Sequence, residues 1–219
     1  MIKAHNISKK FHTRHTRVDA LKDVSLHIAK GDFVSITGPS GSGKSTLLLT
    51  LGGMSAPHEG KITWNEESVY GWGLNKRAEW RARMIGFMFQ TFNLIPYLNV
   101  FENMAIAERL SGKKTVDKNK ILKMMDRMKL SDRLEHLPRE LSVGQQQRVA
   151  MARALIKEPT LILADEPTGN LDPKAADGIL DMIKEINDEG KTVVLITHDP
   201  RIAGIAKRNI HIEDGKVCQ

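Results

Sequence analysis

Apolar and polar positions alternate over Ile2 to Ile7 and again over Val24-Ser25-Leu26-His27-Ile28, the period-two spacing of half-buried β-strands. The polar stretch His12 to Arg17 reads as the turn between them, and Gly31-Asp32 as a tight turn into an apolar run, Phe33-Val34-Ser35-Ile36-Thr37. Leu47 to Met54 then reads as helix, weakened at its end by Gly52-Gly53. Pro57, Glu59 and Gly60 mark a turn before a strand at Lys61 to Trp64. Tyr70 to Gly73 is irregular, Lys76 to Arg83 is charged and helical, and Ile85 to Phe89 is a strand ending at Gln90. From there the pattern changes. Thr91 to Asn99, with Pro96, is a loop, and from Phe101 the spacing is helical. Ile121, Leu122, Met124, Met125 and Met128 share a helix-face spacing, where methionine serves as core filler. Pro138 interrupts, a new helix starts around Leu141 to Gln145, and its body, Arg148 to Ile156, ends before Pro159. Two fully apolar runs follow, Thr160 to Ala164 and Thr192 to Thr197, with the amphipathic helix Ala175 to Asn187 between them. Ile210 to Glu213 alternates as a last strand, and Asp214-Gly215 is a hairpin-type turn.

Apolar strands alternating with helices imply an α/β fold around a mostly parallel sheet. The expected layout is a β lobe and core from residues 1–90 and 158–219, with a helical lobe inserted at about 91–157.

Chemistry enters at Gly38-Pro39-Ser40-Gly41-Ser42-Gly43-Lys44-Ser45-Thr46. This stretch contains the phosphate-loop pattern G-x-x-x-x-G-K-[ST], between a strand and a helix as the motif requires. The glycines let backbone approach phosphate oxygens, and the helix N-terminus offers unpaired N–H donors. Lys44 can reach the β- and γ-phosphates and Ser45 can ligate Mg²⁺. The strand Thr160 to Asp165 ends in two carboxylates, Asp165 and Glu166. Asp165 is expected to hold Mg²⁺ through water, and Glu166 to face the water that attacks the γ-phosphate. His198 follows the last apolar run, at the carboxyl end of a strand where open α/β sheets bind ligands. Ser142, three residues before Gln145, forms a capping-box pattern. Phe11 has two open readings, a purine stack with Val18 at its edge or a core aromatic.

Bulk properties narrow the class. Net charge is +7, read as a solvated basic surface, and aromatics are only 5%, too few for a single-strand stacking platform. Nucleic acid is therefore not an expected partner. No apolar run approaches a membrane span, no secretory h-region opens the chain, and the single cysteine excludes an internal disulfide framework, which together suggest a cytoplasmic setting.

The chain resembles the nucleotide-binding subunits of ATP-binding cassette (ABC) transporters along essentially its whole length. The motifs that carry this, in order, are GPSGSGKST, Gln90 after a strand, LSVGQQQ at 141–147, LILADEP at 161–167, GNLD at 169–172 and His198. Phe89 to Pro96 and DEPTGNLD are similar to the group of LolD, MacB and FtsE. The resemblance implies a RecA-like phosphate-loop NTPase core, ATP and Mg²⁺ as ligands, and hydrolysis of ATP. It implies that Phe11 stacks on adenine, that Gln90 couples the Mg²⁺ and water site to a membrane partner, that Glu166 is general base and that His198 touches the γ-phosphate. It implies that Ser142, Gly144 and Gln145 act in trans on ATP held by a second copy, with Asp172 in the dimer seam. The implied partners are that second copy and an integral membrane permease of the lipoprotein-release or macrolide-export type, with the chain peripheral on the inner membrane face. An FtsE-like regulator that moves no substrate is the alternative. Two departures stand out: Val143 replaces the first glycine of the usual LSGGQ, and Phe11 replaces a tyrosine.

Overall fold

A computed structural model describes residues 1–12 and 17–218; positions 13–16, within the expected turn between the first two strands, lie outside the described residues. The first strands are longer than their clean alternation. β1 (Ile2–His12) pairs antiparallel with β2 (Arg17–Ile28), with register shifts that carry the ladder past the alternating segments. β1 also pairs with β4 (Glu59–Trp64), which pairs with the short β5 (Glu67–Ser68), giving an antiparallel sheet in the order β2-β1-β4-β5. Glu59 and Gly60 therefore belong to a strand rather than to a turn. Gly60 has φ +79°, and its close approach to the Asn6 carbonyl leaves no room for a side chain.

The second sheet has the order β10-β9-β3-β8-β7-β6. β3 (Phe33–Thr37), β6 (Ile85–Met88), β7 (Leu161–Asp165), β8 (Thr192–Ile196) and β9 (Arg208–Glu213) are parallel; β10 (Lys216–Cys218) closes the edge antiparallel to β9. β9 is thus not the last strand. β7 and β8 are apolar throughout because both faces are covered.

Seven helices cover this frame among the described residues: α1 (Lys44–Leu51), α2 (Leu74–Met84), α3 (Val100–Leu110), α4 (Lys118–Arg127), α5 (Val143–Leu155), α6 (Pro173–Asp188) and α7 (Pro200–Ala203). A 3₁₀ turn, Val69–Gly71, lies in the stretch read as irregular. One apolar core joins the antiparallel sheet, α1 and one face of the parallel sheet; a second joins the other face to α3, α4, α5 and α6. Met104, Met125 and Met128 are fully buried in the second core, whereas Leu122 turns toward solvent.

Candidate active site

β3 runs directly into the glycine-rich loop, and α1 starts at Lys44 with Gly43 as its N-cap. Gly38 (φ +141°) and Gly43 (φ +104°) are left-handed, and an ideal Cβ on either would collide with a backbone carbonyl, of Ile212 or Ala20 respectively. The loop is thereby wedged backbone-to-backbone between β9 and β2. Lys44 is buried, and its Nζ donates to the carbonyls of Gly38 and Pro39 at 2.9 and 2.7 Å. Pro39, Ser40 and Gly41 form the exposed crown. The Ser42 hydroxyl is buried with no protein partner. Gly43 offers no capping side chain, so the first-turn amides of Lys44, Ser45 and Thr46 have no acceptor within the helix.

The carboxylates arrive from β7. The Asp165 carboxylate comes up beside the Ser45 hydroxyl. Burial pushes the Asp165 carboxyl above its usual range; the Ser45 hydrogen bond opposes this, the Glu166 charge adds to it, and the Lys44 charge also opposes it. Glu166 sits at φ +45°, its N–H donating to the Ile196 carbonyl at 3.1 Å. That turn aims Glu166 Oε2 at His198 Nδ1, 3.0 Å away at the end of β8. Gln90 leaves β6, the neighbour of β7. A Cβ on Gly169 would lie 3.1 Å from Gln90 Nε2 and 3.2 Å from Glu166 Oε2, so both side chains converge on one small gap. A cavity of ≈ 150 Å³ is lined there by Glu166, Gly169 and His198. Lys44, Ser45, Gln90, Asp165, Glu166 and His198 thus gather at the carboxyl ends of parallel strands.

The 142–145 segment opens α5. Ser142 caps α5: Gln145 N–H donates to its Oγ at 3.3 Å, and Ser142 N–H donates to Gln145 Oε1 at 2.9 Å. The buried Gln147 amide donates to the Pro167 carbonyl beyond β7, and a Cβ on Gly144 would meet Ala175 at 3.5 Å. Asp172 caps α6, accepting from the amides of Lys174 and Ala175 at 3.1 Å. Phe11 is 45% and Val18 50% exposed, which removes the core reading of Phe11. They face each other across the β1/β2 ladder, and Val18 is two residues from Ala20, the residue against the loop. Two residues along a strand place the pair about 7 Å from that contact.

Residues 21–169 match the family model described as ABC transporter. The chain belongs to the ABC transporter family. It is 42% identical over 217 residues to a macrolide export ATP-binding/permease protein MacB of Bdellovibrio bacteriovorus, covering 99% of this chain but 33% of that protein. It is 40% identical over 218 residues to the ABC transporter ATP-binding protein YknY of Bacillus subtilis, covering 99% of this chain and 95% of that one. Among solved structures it resembles the dimeric MJ0796 cassette, at TM-score 0.94 and 40% identity, covering 100% of this chain and 97% of that one. A post-hydrolysis dimer of MJ0796 bound to ADP and Pi resembles it at TM-score 0.94 and 39% identity, with the same coverage.

Within this ABC cassette the site suits a nucleoside triphosphate with Mg²⁺. The orphaned Ser42 hydroxyl, the first-turn amides and Lys44 supply N–H and O–H donors of the kind an anionic phosphate accepts. No cluster of three His, Cys, Asp or Glu occurs among the described residues. A hard divalent ion held by Ser45 and Asp165 would therefore draw its other oxygens from phosphate and water.

Sequence reading passed over several supporting residues. Buried Asn103 accepts from Ile95 N–H at 2.9 Å, and its amide donates to the carbonyls of Ile95, Leu98 and Asn99. Arg153 donates to the carbonyls of Asn93 (2.6 Å) and Phe92 (2.9 Å), two residues at φ +50° and +60°. Together they hold the loop after Gln90. The available signal was a polar residue on each helix at a core-facing position.

Proposed function

We propose that the chain is an ATPase that binds ATP with Mg²⁺, pairs with a second copy around two nucleotides, and drives an integral membrane partner of the lipoprotein-release or macrolide-export type. The observation that carries this is the convergence of the wedged phosphate loop, the Ser45–Asp165 pair and the Glu166–His198 pair on one edge of the sheet. The MacB relative carries a permease in the same protein, and the MJ0796 cassette was solved as a dimer, which supports the partner and the pairing.

The loop amides and Lys44 bind the phosphates, and the exposed Phe11–Val18 pair receives the adenine. Mg²⁺, held by Ser45, Asp165 and Gln90, would neutralise charge on the β- and γ-oxygens. Glu166 accepts the proton of the attacking water as it adds to the γ-phosphorus and the bond to ADP breaks; His198 contacts the γ-phosphate. General-base action of this kind contributes about 10²–10⁴-fold. Ser142, Gly144 and Gln145 act on ATP held by the other copy, and Asp172 lies in the seam. Residues 1–90 and 158–219 form the core with its β lobe, and 91–157 the helical lobe. None of the described helices is long and apolar enough to cross a membrane; in this reading the partner brings the chain to the bilayer's inner face.

The test is a mild-detergent pull-down from native membranes with Glu166→Gln as bait and ATP present. Recovery of an integral membrane protein supports the reading, and its identity separates a transporter from an FtsE-like regulator. Recovery of soluble protein or nucleic acid alone overturns the membrane partner and leaves the ATPase chemistry standing.

A further inference from the structure

The turn between α3 and α4 gathers bases around carboxylates that are already engaged. From Glu108 to Lys123 the chain carries six bases and two acids. Glu108 is fully buried: its Oε1 accepts from Lys113 Nζ at 2.7 Å and its Oε2 from the Asp117 N–H at 2.9 Å. Ser111 Oγ donates to the Glu108 carbonyl at 2.7 Å, and Arg83 Nε donates to the Ser111 carbonyl at 3.1 Å. Asp117 caps α4, accepting from the Lys120 N–H at 3.1 Å. Lys120 itself pairs with Glu158 at 2.6 Å. Both acids of the stretch are thus used to build the turn, which these bonds hold in one shape.

What the turn presents to solvent is cationic. Arg109, Lys114, Lys118 and Lys123 are exposed and form no ion pair among the described residues. Two leucines stand among them. Leu110, 68% exposed, ends α3 beside Arg109, and Leu122, 36% exposed, lies on α4 next to Lys123 and four residues from Lys118. Residues four apart share a helix face, so Lys118 and Leu122 are neighbours on the outer side of α4, while Ile121 and Met125 face the core. Bases interleaved with exposed leucines suit a particular kind of anion. Nucleic acid offers phosphates but nothing for the leucines, and the stretch has no aromatic ring on which a base could stack. An anionic lipid surface takes both, phosphates pairing with the bases and the acyl boundary receiving the leucines.

We propose that the α3–α4 turn and the outer face of α4 rest directly on anionic lipid headgroups. The inference rests on the membrane reading above and deepens it: the chain touches lipid itself as well as an integral partner. Clusters of about four to eight Lys and Arg at a membrane are the density at which anionic lipids attract a protein surface. The buried Glu108 carboxylate cancels Lys113 and fixes the turn, so the four exposed bases carry the attraction. Lipid contact confines the chain to the layer in which an integral partner diffuses, which raises the partner's effective concentration without any new protein contact.

The experiment uses the whole chain without a partner. It is floated with vesicles of phosphatidylcholine alone or with phosphatidylglycerol added. Binding is expected only to the second kind, and to weaken as salt rises. Lys114→Glu combined with Lys118→Glu is expected to weaken it by about tenfold or more. Both side chains are exposed, and circular dichroism checks that the fold is kept. Lys30→Glu combined with Lys207→Glu makes the same change in net charge at exposed lysines before β3 and β9, and should keep most of the binding. Leu110→Ser combined with Leu122→Ser should weaken it several-fold. No binding to phosphatidylglycerol vesicles at low salt, or an equal loss from the two lysine pairs, would overturn the proposal. So would tighter binding of single-stranded RNA than of vesicles, abolished by Lys114→Glu with Lys118→Glu. The pull-down is read separately. A recovered membrane protein without vesicle binding sinks the lipid contact alone; vesicle binding without a recovered membrane protein sinks only the partner reading.

Discussion

Gly43→Ala and Gly41→Ala make a matched pair for the phosphate loop. Both residues have positive φ, +104° and +77°, so each alanine meets the left-handed penalty of about 1–2 kcal/mol. Their surroundings differ. A Cβ at Gly41 has nothing within 4 Å, whereas one at Gly43 falls 2.2 Å from the Ala20 carbonyl oxygen and 3.3 Å from Leu21 Cδ2. Ala20 is β2 backbone, so relief requires loop and strand to part by about 1 Å. Overpacking of that kind adds about 1–3 kcal/mol, for about 2–5 kcal/mol in all. In a chain of this size that lowers Tm by about 4–20 °C for Gly43→Ala, against about 2–8 °C for Gly41→Ala. Urea denaturation without nucleotide measures both, and binding of a fluorescent ATP analogue should weaken more for Gly43→Ala because the loop is displaced. Equal destabilisation of the two variants would refute the argument that β2 braces the loop.

Four other outcomes follow. Glu166→Gln should lower ATP turnover by about 10²–10⁴-fold while stabilising an ATP-bound dimer, seen by gel filtration with Mg²⁺-ATP; a variant that stays monomeric counts against the in-trans site. Phe11→Ala should weaken adenine-nucleotide binding by about tenfold and spare stability, since the ring is 45% exposed; equilibrium dialysis decides. Val143→Gly should leave ATPase activity equal or higher, and a large loss would mean that the 45%-exposed valine makes a specific contact. Lys157 sits at about 8 when folded against 10.5 ordinarily, so the unfolded chain holds more protons between those values and this group's penalty fades as pH rises through that window. Lys157→Met should therefore be more stable than the parent at pH 7, with the gain shrinking toward pH 10.5 in urea titrations.

Where the period of the pattern matched the element, the fold was legible. β7 and β8 are unbroken apolar runs, α6 is amphipathic, and the Ser142–Gln145 box is a local device that needs no tertiary context. The errors arose where partners across space decide. Glu59 and Gly60 look like a turn, yet β1 offers them a ladder through Ser8 and His5. β10 is three residues long and exists because β9 is an open edge. The motif residues could be named from spacing, but their convergence could not. Glu166 meets His198 through a left-handed turn that no propensity favours at glutamate. The role of Arg153 was invisible for another reason: Ala152-Arg153-Ala154 reads as any helix, and only packing shows that the guanidinium holds the Phe92 and Asn93 carbonyls.

The same helix joins two parts of the site. α5 has 13 residues, about 20 Å of continuous helix. Ser142 caps its start, and Val149, Met151 and Ala152 bury its middle in the core. Near its far end Arg153 spans the Phe92 and Asn93 carbonyls, two and three residues beyond Gln90. Arg153→Lys keeps the charge but loses the fork that spans two carbonyls. It should therefore loosen the loop after Gln90 and lower ATP turnover while leaving nucleotide binding at the phosphate loop intact. Unchanged turnover would refute the argument that Arg153 positions that loop.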